Sequence, residues 1–274
     1  MASNPVFNRI DKEIDQGRYA RFGPAGAGVQ DTMTSQQLED IYSAPSATAA
    51  QAGRLTLDDV LMKTLGLFSL VVVVGAASWF LVAGDPGLAM PIFWAGMLGT
   101  LALGLVIAFK KTVSVPLIVG YAALEGAFVG AISQVFETIY PGIVTTAVLA
   151  TVSVFAGMFL AWKVGLIKVT DRSRRIFGLA IVGYLLFSLV NVVAAVLGVG
   201  EGWGFGGTGM LGIAISVLGV GLASYSLAVD FDSVDKAVAA QVPERYSWLL
   251  AHGLIVSLVW LYLEILRLLA RTRE

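Results

Sequence analysis

Seven apolar runs dominate the sequence, and their length limits the folds that the chain can adopt. A membrane-spanning helix needs about 20 mostly apolar residues, and every run is long enough. Only helices and closed barrels satisfy all backbone hydrogen bonds in lipid. The pattern therefore predicts an all-α, polytopic membrane helix bundle with seven transmembrane helices, at residues 61–83, 88–109, 113–136, 142–165, 176–199, 208–230 and 247–269.

The composition supports this prediction and excludes several functions. Hydrophobic residues make up 57% of the chain and charged residues 14%, whereas an average soluble domain is about 25% charged. The absence of cysteine and the single histidine, His252, exclude disulfides and cysteine- or histidine-rich metal centres. A net charge of -1 provides no basic surface for nucleic acid. We expect an integral membrane protein with no cofactor and no nucleic-acid partner.

The polar residues lie mainly at the N-terminus. Residues 1–56 lack the apolar segment of a signal peptide. We expect this segment to be a disordered cytoplasmic tail or, alternatively, an arm that binds a partner. The seven-helix membrane domain is expected at residues 57–270, followed by a short tail at 271–274. Thr56, followed by two aspartates, predicts the N-cap and first turn of the first helix.

Basic residues indicate the orientation of the bundle. Lysine and arginine follow the second and fourth runs, whereas the connections near residues 85, 140 and 203 have none. Cytoplasmic loops carry the excess of Lys and Arg, so the N-terminus is expected in the cytoplasm. Seven spans would leave Arg271 and Arg273 outside, against this rule. Either the short tail is translocated or the last segment does not cross fully, and we expect seven complete spans.

Two ionisable residues, Glu264 and Arg267, lie in the last apolar run. A charge at the bilayer centre costs roughly 2.5 kcal/mol or more, so such residues are functional candidates. Glu264 is predicted to form a proton-responsive pair with Asp230, near the end of the sixth run. Two acids that share a site titrate as a pair, and proton loss would change helix packing by repulsion. The alternative is an ion pair between Glu264 and Arg267. Asp232 is expected to be a solvated end residue.

The depth of the two acids depends on the turn that joins the last two spans. A turn centred on Pro243 would put residues 254–256 level with Asp230. Glu264 would then lie about 13 Å deeper, at about 1.5 Å per residue. Direct contact would need a kink, for which Gly253 is the candidate.

Five residues are candidates for a pore or a proton relay: Glu125, His252, Arg267, Asp232 and Lys110. Glu125 lies in the middle of the third run and shares a helix face with Tyr121. It is either bonded to a neighbouring helix carbonyl or part of a pore or relay. His252 titrates near neutrality in its reference state, and it is either a packed helix residue or a sensor.

Three motifs resemble the Bax inhibitor-1 family of seven-span membrane proteins, in its bacterial YccA-like branch. They are Leu261-Tyr-Leu-Glu264 in the last run, Leu227-Ala-Val-Asp230-Phe-Asp232 in the sixth and Leu124-Glu-Gly-Ala-Phe-Val-Gly130 in the third. The resemblance covers about residues 57–270. The last-helix acid is Glu here, where the family pattern has Asp. The resemblance implies a bacterial plasma-membrane protein.

The same resemblance implies a pH-sensitive calcium leak through the bundle, gated by a carboxylate pair that maps to Asp230 and Glu264. These acids would hold Ca²⁺ only weakly. Lys110 is the nearest equivalent of a basic residue that contributes to closure in some relatives. Two other functions stay open: a non-transporting regulator that binds a membrane protease or another membrane protein, and a proton-coupled exporter of a small solute. No Gly-x-Ser-x-Gly turn is present, so an enzyme is not expected.

Overall fold

Seven long helices account for most of the structure, a computed structural model that describes residues 53–199 and 203–274. Within these residues, seven helices are long and apolar enough to span a membrane, which confirms the predicted fold class. Of the predicted tail at residues 1–56, residues 1–52 lie outside the described residues. The helices are α1 (Leu57–Gly84), α2 (Ala89–Phe109), α3 (Val115–Ile139), α4 (Ile143–Lys163), α5 (Asp171–Val196), α6 (Met210–Ala239) and α7 (Ser247–Arg273).

The first helix begins where the sequence predicts. Thr56 accepts a hydrogen bond at Oγ1 from the backbone N–H of Asp59 at 3.2 Å, and the Asp59 carboxylate accepts one from the N–H of Thr56 at 3.0 Å. This reciprocal pair satisfies two backbone donors at the helix start. The residues just before it belong to the fold as well. Leu55 is fully buried, and its N–H donates to the carbonyl of Val242 at 2.8 Å.

The last helix occupies the middle of the bundle. α7 packs against α1, α3, α4 and α6, whereas α2 packs mainly on α3, and α5 packs mainly on α6. In the most apolar window of α7, 72% of the residues are buried, compared with 11% in the windows of α2 and α5. The polar residues of α7 therefore face other helices, while α2 and α5 present most of their surface to the surroundings.

Glycines bring α1 and α3 close together. A Cβ added to Gly126 would lie 2.7 Å from the carbonyl oxygen of Val71, and one added to Gly130 would overlap the carbonyl oxygen of Gly75. Only residues without a side chain allow two backbones to approach so closely in lipid. Gly126 and Gly130 therefore allow the close packing of α1 and α3.

The sixth helix is longer than its apolar run. The prediction that it ends at residue 230 is wrong, because α6 continues to Ala239. The residues past Asp230 alternate between polar and apolar at helical spacing, and Phe231, Val234 and Ala237 are buried. This amphipathic pattern keeps one face of the helix packed after the apolar run has ended. Asp230 consequently lies inside the helix.

The seventh helix crosses the whole bundle. Its start follows the segment that pairs with residues 53–55, and its last turn meets the connection between α3 and α4, where Arg273 donates from Nη1 to the carbonyl of Pro141 at 3.0 Å. Arg271 and Arg273 belong to the helix, not to a separate tail. The last helix is therefore long and apolar enough for a complete span, and Arg271 lies at the end opposite Leu55.

Candidate functional site

Asp230 is buried in the contact between α6 and α7. The residue is 2% exposed, and its Oδ2 accepts a hydrogen bond from the hydroxyl of Ser257. The turn centred on Pro243 sets this register, so Ser257 lies one residue beyond the predicted level of 254–256. Among the described residues, the hydroxyl of Ser257 on the central helix is thus the hydrogen-bond partner of this acid.

Arg174, a buried residue of α5, contacts α6 about one helical turn from Asp230. Nη2 of Arg174, in the first turn of α5, donates to the carboxylate of Asp232 and to the hydroxyl of Ser233 at 3.2 Å. Lys236 adds a second cation 3.0 Å from Oδ2 of Asp232. The prediction that Asp232 is merely solvated is wrong, because the start of α5 folds against α6 at this level. The positive charge of Arg174 joins α5 to the acidic part of α6.

Glu264 is buried between α7 and α6 and has its own partners. The residue is 3% exposed, and Oε1 accepts a hydrogen bond from Nε1 of Trp260 at 3.1 Å. Nη1 of Arg267 lies 3.3 Å from Oε2, so the intrahelical ion pair forms. Opposite on α6 is Gly219, where an added Cβ would lie 2.6 Å from Oε2. The missing side chain makes room for the carboxylate.

The structure does not bring Asp230 and Glu264 together. Asp230 is level with Ser257, and Glu264 follows seven residues later on α7, which is about 10 Å along a helix. The two residues on α7 share a face, because seven residues make almost two turns. The predicted shared carboxyl site is therefore wrong: the two acids occupy separate sites on the same side of the central helix.

A different face of α7 meets α3 through a second polar cluster. The hydroxyl of Tyr121 donates to Oε1 of Glu125 at 3.2 Å, which confirms that these two residues share a face. The ring of His252 packs edge-on against Tyr121 with a centroid distance of 4.4 Å. Further along, the hydroxyls of Ser133 and Tyr262 lie 2.7 Å apart. Glu125 is not bonded to a carbonyl of a neighbouring helix, since Oε2 has no partner among the described residues.

Lys110 lies away from these acids. It is exposed at the C-terminal end of α2. The hydrogen bonds of Asp230 and Glu264 come from α7, and Lys110 is not among the donors. Lys110, for which the resemblance implies a role in closure, is therefore not hydrogen-bonded to either acid, whereas the buried Arg174 contacts Asp232 and Ser233, two and three residues along α6 from Asp230.

The sequence interpretation missed Arg271 as a site residue. Its Nη1 donates to the hydroxyl of Ser216 at 2.9 Å and to the carbonyl of Gly212, and the residue is 4% exposed. A signal was present in the sequence, because Ser257, Glu264 and Arg271 recur every seven residues on one face. This polar stripe faces α6 along most of the bundle.

The acids offer few oxygen ligands for a cation. Among residues 53–199 and 203–274 there is no group of three or more His, Cys, Asp or Glu side chains that could hold a metal ion. Tight calcium sites supply six to eight oxygens. Asp230 with the hydroxyl of Ser257, or Glu264 alone, could contact a passing cation with only one to three of these.

A family comparison covers almost the whole chain. A protein-family model described as "Bax inhibitor 1 like" matches residues 4–274, which include all seven helices and both buried acids. No curated protein sequence matches the chain.

Proposed function

Because the chain belongs to the Bax inhibitor 1-like family, we propose that it is a pH-sensitive leak channel for calcium and other cations, in which Asp230 and Glu264 respond to protons. The observation that carries the proposal is the burial of Asp230 between α6 and α7, with Ser257 as its hydrogen-bond partner. A change of charge there acts directly on the packing of the central helix.

The proposed switch begins with the protonation of Asp230. A neutral carboxyl is the less costly form in this buried contact with Ser257, because it carries no net charge that has to be desolvated. An ionised carboxylate there is costly unless it gains water, a cation or a closer counter-charge. Arg174 already binds Asp232 and Ser233, so it is engaged one turn away. Deprotonation therefore favours separation of α6 from α7 and entry of water and cations.

Glu264 acts at a second depth. Arg267 neutralises part of its charge, and Trp260 donates one hydrogen bond. A cation that moves along the α6–α7 contact would meet the Asp230 carboxylate and then the Glu264 carboxylate about 10 Å further along the helix. Weak sites in series suit permeation, since an ion must leave each site as easily as it enters.

The proposed location is a bacterial plasma membrane, with residue 53 on the cytoplasmic side. The support comes from the basic connections: the α2–α3 connection contains Lys110 and Lys111, and the α4–α5 connection is followed by Arg172, Arg174 and Arg175. With seven complete spans, both connections lie at the same end as residue 53. Excess Lys and Arg at that end agrees with the rule for cytoplasmic loops.

The test is calcium release from liposomes that contain the purified protein. Wild-type protein should release trapped Ca²⁺ faster as the pH is raised from about 5 to about 9, a range in which desolvated carboxyls titrate. Vesicles without protein provide the baseline. Release at the baseline rate at every pH would contradict the channel, and it would favour the alternative of a regulator that binds a membrane protease or another membrane protein.

A further inference from the structure

A cavity of about 170 Å³ lies between α5, α6 and α7 at the end of the bundle where α7 finishes. α5 contributes the largest part of its lining, including Tyr184 and Asn191, and α7 contributes Arg267 and Arg271. Trp203, from the α5–α6 connection, closes one side. The described lining contains two arginines and no Asp or Glu, so the cavity is positively charged.

Arg271 is a buried cation whose contacts are neutral. Within the described residues its hydrogen bonds go to a serine hydroxyl and to the carbonyls of Gly212 and Trp203, and its guanidinium lies 5.3 Å from the centre of the Trp203 ring. Its Nε is buried and has no hydrogen-bond partner there. A buried charge normally has a counter-ion, so this group calls for an anion from outside.

Arg267 keeps donors for the same anion. All of its hydrogen bonds within the described residues use Nη1, which contacts Glu264 at 3.3 and 3.4 Å and Tyr184 at 3.5 Å. Its side chain is 41% exposed. One glutamate faces two arginines, so a net charge of +1 remains. The planar fork of a guanidinium matches the oxygens of phosphate.

We propose that this cavity binds a phosphate group, held by Arg267 and Arg271. Both arginines lie in the last two turns of a helix that is long and apolar enough to span a membrane, and the ends of such a helix reach the polar head-group region of a bilayer. The remaining lining includes Phe187, Val192 and Ile215, which suits the ester and acyl parts of a lipid. A phospholipid head group and free phosphate share the chemistry recognised here. This proposal does not depend on ion flux.

The test measures ligand binding to the full chain in an uncharged detergent. Phosphatidylglycerol is compared with diacylglycerol, which lacks the phosphate, and with inorganic phosphate, by native mass spectrometry and by the shift of Tm. Phosphatidylglycerol should bind and raise Tm, and diacylglycerol should not. Inorganic phosphate that gives the same stabilisation on its own would identify the free anion as the source.

Three variants locate the site. Arg267→Gln removes one guanidinium and should weaken phosphate-dependent binding about tenfold or more, the value of one charge-assisted hydrogen bond. Ala195→Leu fills the cavity without changing its charge. It should weaken binding to a similar extent, because the ligand no longer fits. Arg273→Gln is the matched control, because Arg273 is at the same helix end but contacts the carbonyls of Tyr140 and Pro141. Equal binding of both lipids, or an equal loss in all three variants, would overturn the proposal.

Discussion

The hydroxyl of Ser257 on α7 donates a hydrogen bond to the buried carboxylate of Asp230 on α6. This contact joins the central helix to a neighbour through a group that changes charge with pH. Glu264 lies two turns further along α7, where Trp260 and Arg267 hold it instead. The two acids can therefore be tested separately, and each has a matched control within the chain.

Replacing Asp230 by Asn should remove the pH dependence of calcium release. Asparagine keeps the size of the side chain and its hydrogen bond with Ser257, but it cannot ionise. Wild-type release should rise by up to about tenfold per pH unit below the midpoint, as the ionised fraction of one group does, while Asp230→Asn stays low and flat. Asp235→Asn, an exposed acid on the same helix, should keep the wild-type profile. Retained pH dependence in Asp230→Asn would exclude this residue as the sensor.

Replacing Ser257 by Ala should destabilise the bundle by about 0.6 to 2 kcal/mol, the usual value of one buried side-chain hydrogen bond between membrane helices. The loss arises because the Asp230 carboxyl is left without its partner. The free energy of unfolding in a detergent titration measures it. Ser153→Ala is the control, since that exposed hydroxyl bonds to the carbonyl of Leu149 in its own helix. An equal, small effect in both variants would contradict the role of Ser257.

Replacing Gly219 by Ala should displace the Glu264 carboxylate, because the new Cβ would lie 2.6 Å from Oε2. Overpacking of this kind costs about 1 to 3 kcal/mol in unfolding free energy. Gly221→Ala provides the comparison on the same helix, since a Cβ there meets nothing within 4 Å; it should be neutral or stabilising by up to about 1 kcal/mol. If Gly221→Ala lowered the unfolding free energy more than Gly219→Ala does, Gly219 would not confine Glu264.

The double variant Asp230→Asn with Glu264→Gln should show additive effects. Residues more than about 7 to 10 Å apart without shared partners usually add within about 0.5 kcal/mol, and these acids have different partners. Unfolding free energies of both single variants and the double variant give the coupling. A coupling above about 1 kcal/mol would mean that the carboxyls meet in the folded protein.

The sequence predicted what depends on neighbouring residues. The seven spans, the cap at Thr56, the turn at Pro243 and the shared face of Tyr121 and Glu125 all follow from length, helical spacing and turn chemistry. The end of α6 was wrong because charged residues indicate a membrane boundary, whereas the helix continues past it through packed apolar positions. Hydropathy indicates whether a residue is suited to lipid or to water, but it does not show where the helix ends.

Long-range partners could not be predicted in the same way. The hydrogen bond of Arg271 joins it to Ser216, which is 55 residues away in the chain. Arg174 and Asp232 are separated by 58 residues. Each residue taken alone fits a solvated loop or tail, and only the packing of α5 and α7 on α6 turns them into buried contacts. The depth of Glu264 relative to Asp230 was within reach of helical geometry, but the identities of their partners were not.

The central position of α7 also has a consequence for biosynthesis. The ribosome makes the first six helices before the one that packs among α1, α3, α4 and α6. Until α7 has been made and inserted, the interior of the bundle is unfilled, and Asp230 lacks its partner Ser257. The bundle can therefore close only after α7 has been inserted, and any premature stop before residue 247 removes the centre of the protein rather than its edge.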